Sequence, residues 1–493
     1  MVNTHYLSRK KSTIVQHVGG NLEIALVIVQ NLLLLPLYLQ FVSASEYGYW
    51  VTISSIVILL SALNFRIPGL MSQRIASAYA KLNYKRVADY AVHAIGIYIP
   101  ISILFGFACW IVGFWLEGIL RIEIDHNFNS QLIFLIAAVA ACIGFFNSVF
   151  RGILQALLRP LYPIYFSIFS KIVGFLTVLF LLYSDVGISS IPISLAVSEI
   201  VNCMLLLIYL SRLRRGFCVE LKFKADVVKD YVAHMPNLFS GTVGSNLITS
   251  FPPIAITAFL GPETTTTFSI VSRISIMISQ VINTANAALL GPFSHLVGSA
   301  DMDRIRETVK HVLLASFAGG VVMFGIYSVA NLSFVRLWLG EDFLVEQYIV
   351  VALGSGAFAV ATSSVLRNLL FGFGEVKFVS SVALIEGSLF ALVLVLSIED
   401  LGLMAPPVAA ILAGTISIGI LLLKLRNIVN YNVDKNVIIR LIAGVVFSAF
   451  ILVYFSDYDS NISWTQFLKE SILLTVLLSS VMYAAARPAV RKK

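Results

Sequence analysis

Apolar runs of about twenty residues recur along this chain, each long enough to cross a hydrocarbon layer about 30 Å thick as a helix. Backbone in lipid must satisfy its own polar groups, which restricts spanning segments to helices or closed barrels, and runs this long select the helix. They fall at Val18–Val42, Gly48–Leu70, Val92–Leu116, Gln131–Leu154, Tyr162–Tyr183 and Ser190–Leu210. A second set falls at Pro236–Leu260, Thr266–Phe293, Val312–Val335, Tyr348–Phe371, Phe378–Ile398 and Met404–Leu425, and a last pair at Val437–Phe455 and Phe467–Ala486. The expectation is an all-α polytopic membrane protein with about fourteen transmembrane helices. Composition agrees: 58% of residues are hydrophobic and 12% charged, against about 45–50% and about 25% in soluble domains.

The loops alternate in charge. One set is basic: Arg9 to Lys11, Arg74 to Arg86, Arg159, Arg212 to Lys229, Arg304 to Lys310, Lys377, Lys424 to Lys435, and Arg487 to Lys493. The other holds Glu46, Glu123, Asp125, Asp185, Glu263, Glu341, Asp342, Glu399, Asp400, Asp457 and Asp459. The positive-inside rule places the basic set and both termini in the cytoplasm. The net charge of +8 is therefore topological and does not point to nucleic acid. Val18–Val42 is too long for a signal-peptide core and is expected to stay as the first span. The segment Arg74 to Tyr90 reads as an amphipathic helix on the inner leaflet.

Markers repeat at nearly constant offset. Pro36 and Pro253 are 217 residues apart, as are Glu46 and Glu263; Arg151 and Arg367 are 216 apart, and Asp185 and Asp400 are 215 apart. Both halves begin inside, so the repeat is parallel, and transporters often bind substrate between such halves. The expected organisation is a lobe at 1–215, a second at 216–430, and an extra helix pair with a basic tail at 431–493. The two six-helix lobes would be related by a pseudo-two-fold axis.

Charges inside the spans carry the functional reading, because each is costly at membrane depth. The cations are Arg66, Arg151, Lys171, Arg273 and Arg367; the carboxylates are Glu23, Glu199 and Glu386. Arg66, Arg151 and Arg367 lie near the inner ends, where a long side chain can reach headgroups. Lys171 and Glu386 hold equivalent places in the repeat, and an ion pair across the pseudo-axis would neutralise both. Within Thr266–Ala288, read as one helix, Ser269, Ser272, Arg273, Ser279, Gln280, Asn283 and Asn286 share a face. That face is expected to line a polar cavity, and Arg273, Gln280 and Asn283 to meet substrate. The seventh span is polar from Asn237 to Ser250, and Pro252-Pro253 should end its regular hydrogen bonding. Carboxylates at such depth serve as ion relays, so Glu23, Glu199 and Glu386 are the candidates for carrying H+ or Na+.

No catalytic apparatus is visible. The chain lacks a G-x-x-x-x-G-K-[ST] loop, and Cys109, Cys142, Cys203 and Cys218 show no metal or disulfide spacing. No cofactor or metal is expected. Outer loops are too short to hold the paired carboxylates a membrane polymerase would need, so movement of a solute across the bilayer is the natural reading.

The run Asn31-x4-Pro36-Leu-Tyr38, then Ser45-Glu-Tyr-Gly-Tyr-Trp50, then Asn64 to Ala80 resembles the polysaccharide-repeat-unit (O-antigen type) flippases. These belong to the multidrug/oligosaccharidyl-lipid/polysaccharide exporter superfamily. The resemblance implies two six-helix lobes around a central cationic cavity, with a final helix pair outside. It implies a substrate of undecaprenyl pyrophosphate bearing an oligosaccharide, moved by alternating access from the inner to the outer leaflet of a bacterial cytoplasmic membrane. Partners would be that lipid-linked substrate, membrane lipids, a coupling ion, and other polysaccharide assembly proteins. A drug or cation antiporter of the same superfamily is the alternative; acidic spans and twelve helices would favour it.

Overall fold

The computed structural model of the chain describes residues 9–120, 129–214, 224–298, 301–429 and 463–491. Among them every regular element is helical. The first seven helices are α1 (Arg9–Phe41), α2 (Ala44–Leu60), α3 (Ile67–Ala80), α4 (Tyr84–Leu120), α5 (Ser130–Ala156), α6 (Leu161–Tyr183) and α7 (Ser190–Arg214). Next come α8 (Ala225–Leu260), α9 (Pro262–Val271), α10 (Arg273–Gly298), α11 (Met302–Leu339), α12 (Gln347–Gly372), α13 (Val376–Leu401) and α14 (Ala405–Val429), with a C-terminal helix at Trp464–Arg491. Among the described residues, eleven stretches are long and apolar enough to span a membrane, or twelve with the bent pair α9–α10 counted as one. One of the eleven, Val376–Val429, contains both α13 and α14, which a 3-10 turn at Gly402–Met404 separates. The chain is thus a multi-pass membrane protein. The expected span Val437–Phe455, the loop residues Glu123 and Asp125, and the tail residues Lys492 and Lys493 lie outside the described residues.

Two compact units divide between Asn246 and Leu247. The division falls inside α8. Local packing explains it. Early in α8, Tyr231 stacks edge-on against Tyr90 and donates to its carbonyl at 3.1 Å, and Asp230 pairs with Arg74 at 2.8 Å. Later in the same helix, Ala255 and Ile256 join a core of Phe268, Val350, Phe390 and Ala409 in the second unit. The helix runs on through Pro252 and Pro253, both buried, although neither proline has an N–H to give to the carbonyls of Ile248 and Thr249.

In each unit the second span is broken. In the first unit α2 ends in a 3-10 turn, Ser61–Asn64, and Phe65 and Arg66 both adopt left-handed backbone with φ 54° and 48°. Side chains with a Cβ rarely sit there, and each such residue costs on the order of 1–3 kcal/mol. The sequence cause is Pro68 near the start of α3: its ring excludes the carbonyl four residues back, that of Asn64. Tyr98 from α4, fully buried, donates to both the carbonyl oxygen and the side-chain Oδ1 of Asn64.

In the second unit α9 and α10 meet at Ser272 with a bend of 50°. No proline causes it. Ser269, Ser272 and Ser275 donate to the carbonyls of Thr266, Phe268 and Ser272, and hydroxyls bonded back to their own helix favour bending. The carbonyl of Val271 is taken by Tyr327 Oη and Asn331 Nδ2, both from α11 and both at 3.0 Å. A buried tyrosine from the third span therefore closes the break in both units.

Two expectations are corrected here. Thr266–Ala288 is not one helix, because the serine hydroxyls and the captured Val271 carbonyl interrupt it. Arg74 to Tyr90 is not one interfacial helix either. Residues to Ala80 belong to α3, whose Ile67, Met71, Ile75 and Ala78 are buried, and a turn with Leu82 at φ 56° precedes α4.

Replacing Tyr327 by Phe leaves Asn331 on the Val271 carbonyl and should cost about 1 kcal/mol. Tyr327→Phe with Asn331→Leu bares the carbonyl, and the combined loss of thermal stability in detergent should exceed the sum of the single losses.

Candidate functional site

Three separate clusters hold the carboxylates expected from the sequence. In the first unit, Glu23 on α1 meets Arg151 on α5 and Ser167 and Lys171 on α6. Arg151 donates in parallel, Nη1 to Oε2 at 3.2 Å and Nη2 to Oε1 at 3.1 Å. Ser167 Oγ donates to Oε1 at 2.5 Å, and the Lys171 ammonium bonds the same oxygen. Gln30, two turns along α1, donates to the Lys171 carbonyl at 3.1 Å. One carboxylate faces two cations, so the cluster keeps an excess positive charge.

In the second unit Glu386 on α13 is fully buried and paired with Arg367 on α12. Its Oε2 also accepts from Ser363 and Ser417, each at 2.8 Å, and Arg367 Nη1 donates to Ser363 Oγ at 2.7 Å. This cluster is neutral. Lys171 and Glu386, expected to pair with one another, each have a partner within their own unit: Lys171 bonds Glu23, and Glu386 bonds Arg367.

Arg151 on α5 and Arg367 on α12 are 216 residues apart, Lys171 on α6 and Glu386 on α13 are 215 apart, and each pair holds the same place in the helix order of its unit. In the second unit those two positions carry opposite charge and pair directly. In the first they carry like charge, and a carboxylate from a third helix, Glu23, must join them. Neither Arg151 nor Arg367 is free to reach headgroups, since each is held by a carboxylate. Removing one partner of a buried pair leaves an uncompensated charge and costs about 3–5 kcal/mol.

Glu199 on α7 stands apart. Its partner is Asn147 on α5, whose Nδ2 donates to Glu199 Oε2 at 2.6 Å and to the Glu199 carbonyl at 2.9 Å.

The remaining sequence candidates are dispersed. Arg66 caps α3 at the break, exposed and with no ion pair or side-chain hydrogen bond among the described residues. Arg273 is the first residue of α10 and half-buried; Gln280 and Asn283 are exposed farther along it. Asn283 Oδ1 accepts from Ser364 of α12 at 2.9 Å. The serines of the expected polar face bond their own backbone, Ser279 to Ser275 among them, so its exposed polar groups are fewer than the pattern suggested. The side chain of Asn286 lies outside the described residues. An open cleft of about 650 Å3 at the start of α9 is lined by Glu263, Glu346, Thr264 and Thr267. Its acidic lining is unsuited to an anion.

The chain and its fold have known counterparts. The family described as "Polysaccharide biosynthesis protein" matches residues 24–297. The chain belongs to that family. The matched part contains Arg66, Arg151, Lys171, Glu199, Arg273, Gln280 and Asn283. Among solved structures, the lipid II flippase MurJ in its inward closed conformation superposes with TM-score 0.71 at 15% identity, covering 97% of this chain and all of that one. An inward-facing multidrug resistance MATE family transporter of the MOP superfamily gives 0.60 at 12% identity, covering 88% of this chain and all of that one. The Vibrio cholerae MATE transporter VcmN in its bent form gives 0.56 at 12%, covering 84% and 98%. A sequence search of curated proteins finds no match. The fold is therefore shared with these solved flippase and transporter structures, as the motif resemblance implied.

Breaking the two clusters should have unequal effects. Arg367→Met strands Glu386 and should lower stability by about 3–5 kcal/mol, with recovery on adding Glu386→Gln. Lys171→Met leaves Glu23 with Arg151 and Ser167 and should cost clearly less. Thermal unfolding of the purified variants compares them.

Proposed function

We propose that this polysaccharide biosynthesis family member is a flippase for undecaprenyl-pyrophosphate-linked oligosaccharide repeat units. It moves them from the inner to the outer leaflet of a bacterial cytoplasmic membrane, for O-antigen or capsule assembly. Both termini lie in the cytoplasm on this reading, and transport proceeds by alternating access with H+ or Na+ as the coupling ion.

A pyrophosphate head cannot cross hydrocarbon unaided, because its charges lose hydration. It needs fixed cations along the route, and guanidinium presents a planar fork suited to phosphate. The observation that carries the reading is Arg66. It is exposed and, among the described residues, unpaired at a strained break in a spanning segment, and backbone strain clusters at ligand-binding and switch regions. The excess positive charge at Arg151 and Lys171 supports it, with Arg273, Gln280 and Asn283 as further contacts. Arg367 is bound into a neutral pair and belongs to the same set through its place in the repeat.

The likeness to MATE transporters favours a second reading, export of drug cations. The charge balance separates the two, since a cationic substrate would be repelled by Arg66 and by the excess charge beside Glu23.

A deletion strain tests the choice. Loss of surface polysaccharide with lipid-linked units retained on the inner leaflet supports the flippase. Intact polysaccharide with new drug sensitivity supports the exporter. In complementation at equal membrane levels, Arg66→Ala and Arg273→Ala should each abolish polysaccharide export, while Lys at either position restores part of it. Full export by both alanine variants would contradict the role given to these cations.

A further inference from the structure

Glu23 and Glu386 are each compensated by fixed cations. Glu199 forms no ion pair among the described residues, and its side chain is bonded only by the amide of Asn147. A carboxylate at membrane depth without a positive neighbour is costly, and a mobile cation can remove that cost.

The surroundings fit one. The Nδ2 of Asn147 is fixed by two acceptors of Glu199, its carboxylate and its carbonyl. The orientation of that amide is thereby set, and its Oδ1 is buried with no donor among the described residues. Asn202 follows Glu199 by three residues on α7, which places both on one side of the helix. Its Oδ1 is also buried and without a donor. The two asparagines are only 4% and 6% exposed. Buried amide oxygens are normally bonded, and an orphan calls for an unseen partner. Gly144 on α5 keeps space beside the carboxylate: a methyl group there would lie 3.6 Å from Glu199 Oε2.

We propose that Glu199, Asn147 and Asn202 form a binding site for a sodium-sized monovalent cation between α5 and α7. A carboxylate and two amide oxygens are hard ligands suited to a hard cation. A single carboxylate balances one charge, which disfavours a divalent ion. The site deepens the transporter reading by assigning the coupling ion to Glu199 and not to Glu23 or Glu386, and to sodium and not to the proton alone.

The test is equilibrium binding of radioactive sodium to the purified full-length protein in nanodiscs, with choline chloride holding ionic strength constant and no saccharide present. Wild type should bind sodium saturably. Glu199→Gln should lose that binding, and Asn202→Ala should weaken it by about tenfold or more, since even outer partners of a bound ion change affinity that much. Glu386→Gln combined with Arg367→Met, which removes both charges of that pair, should bind as wild type does. The site is overturned if wild type binds no sodium, or if Asn202→Ala and a folded Glu199→Gln bind as tightly as wild type. Should Glu199→Gln not fold, the Asn202→Ala result decides alone. Because no lipid-linked substrate is needed, sodium binding with failed saccharide transport counts against the flippase reading only. Transport without sodium binding counts against this site only.

Discussion

Charge placed in a low-dielectric layer must be met by charge of the other sign, and the helices of both units are arranged around that requirement. Glu386 and Arg367 satisfy it with one pair locked by two serines. Glu23 satisfies it for two cations at once, which ties α1 to α5 and α6. The same repeat positions thus serve two chemistries. Where the sixth-helix position carries Glu the cluster closes on itself; where it carries Lys the unit keeps surplus positive charge. A duplicated fold can diverge in this way by one change of sign, provided a neighbouring helix supplies the balancing carboxylate.

Backbone obeys the same rule as side chains. A break in a spanning helix frees carbonyls that water cannot reach. Tyr98 and Asn64 close the first break, and Tyr327 with Asn331 the second. The two breaks have different origins, Pro68 in one and a serine series in the other, yet each is closed by a buried tyrosine of the third span. Both breaks are followed at once by an arginine, Arg66 or Arg273. A positive side chain at the start of a helix, where the dipole is also positive, favours a nearby anion. That arrangement is consistent with passage of a negatively charged head.

Much of this was legible in the sequence. Span positions follow from apolar run length alone, and the described helices fall at them apart from the break in the second span of each unit. The repeat showed in Pro36 and Pro253 and in Glu46 and Glu263; Glu46 proves to close a capping box with Ser43 at the start of α2, and Glu263 sits in the first turn of α9. Charge partners were not legible. Lys171 and Glu386 were equivalent in the repeat, but equivalence says nothing about which carboxylate is nearer, and Glu23 lies on a helix far away in sequence. The breaks were partly legible: Pro68 two residues after Arg66 is a signal, whereas the Ser269, Ser272 and Ser275 series reads equally as a polar face. The expected interfacial helix failed because its hydrophobic positions are those of α3, buried within the unit.

The account rests on fixed positive charge guiding a negatively charged lipid head. Its most direct measurement is transport by the purified protein in liposomes containing fluorescent polyprenyl oligosaccharides with either a pyrophosphate or a neutral linker. Access of an external glycosidase reports movement between leaflets. The account predicts protein-dependent equilibration of the pyrophosphate compound, lost in Arg66→Ala, and little movement of the neutral one. Equal movement of both compounds, or equal rates with and without Arg66, would contradict it.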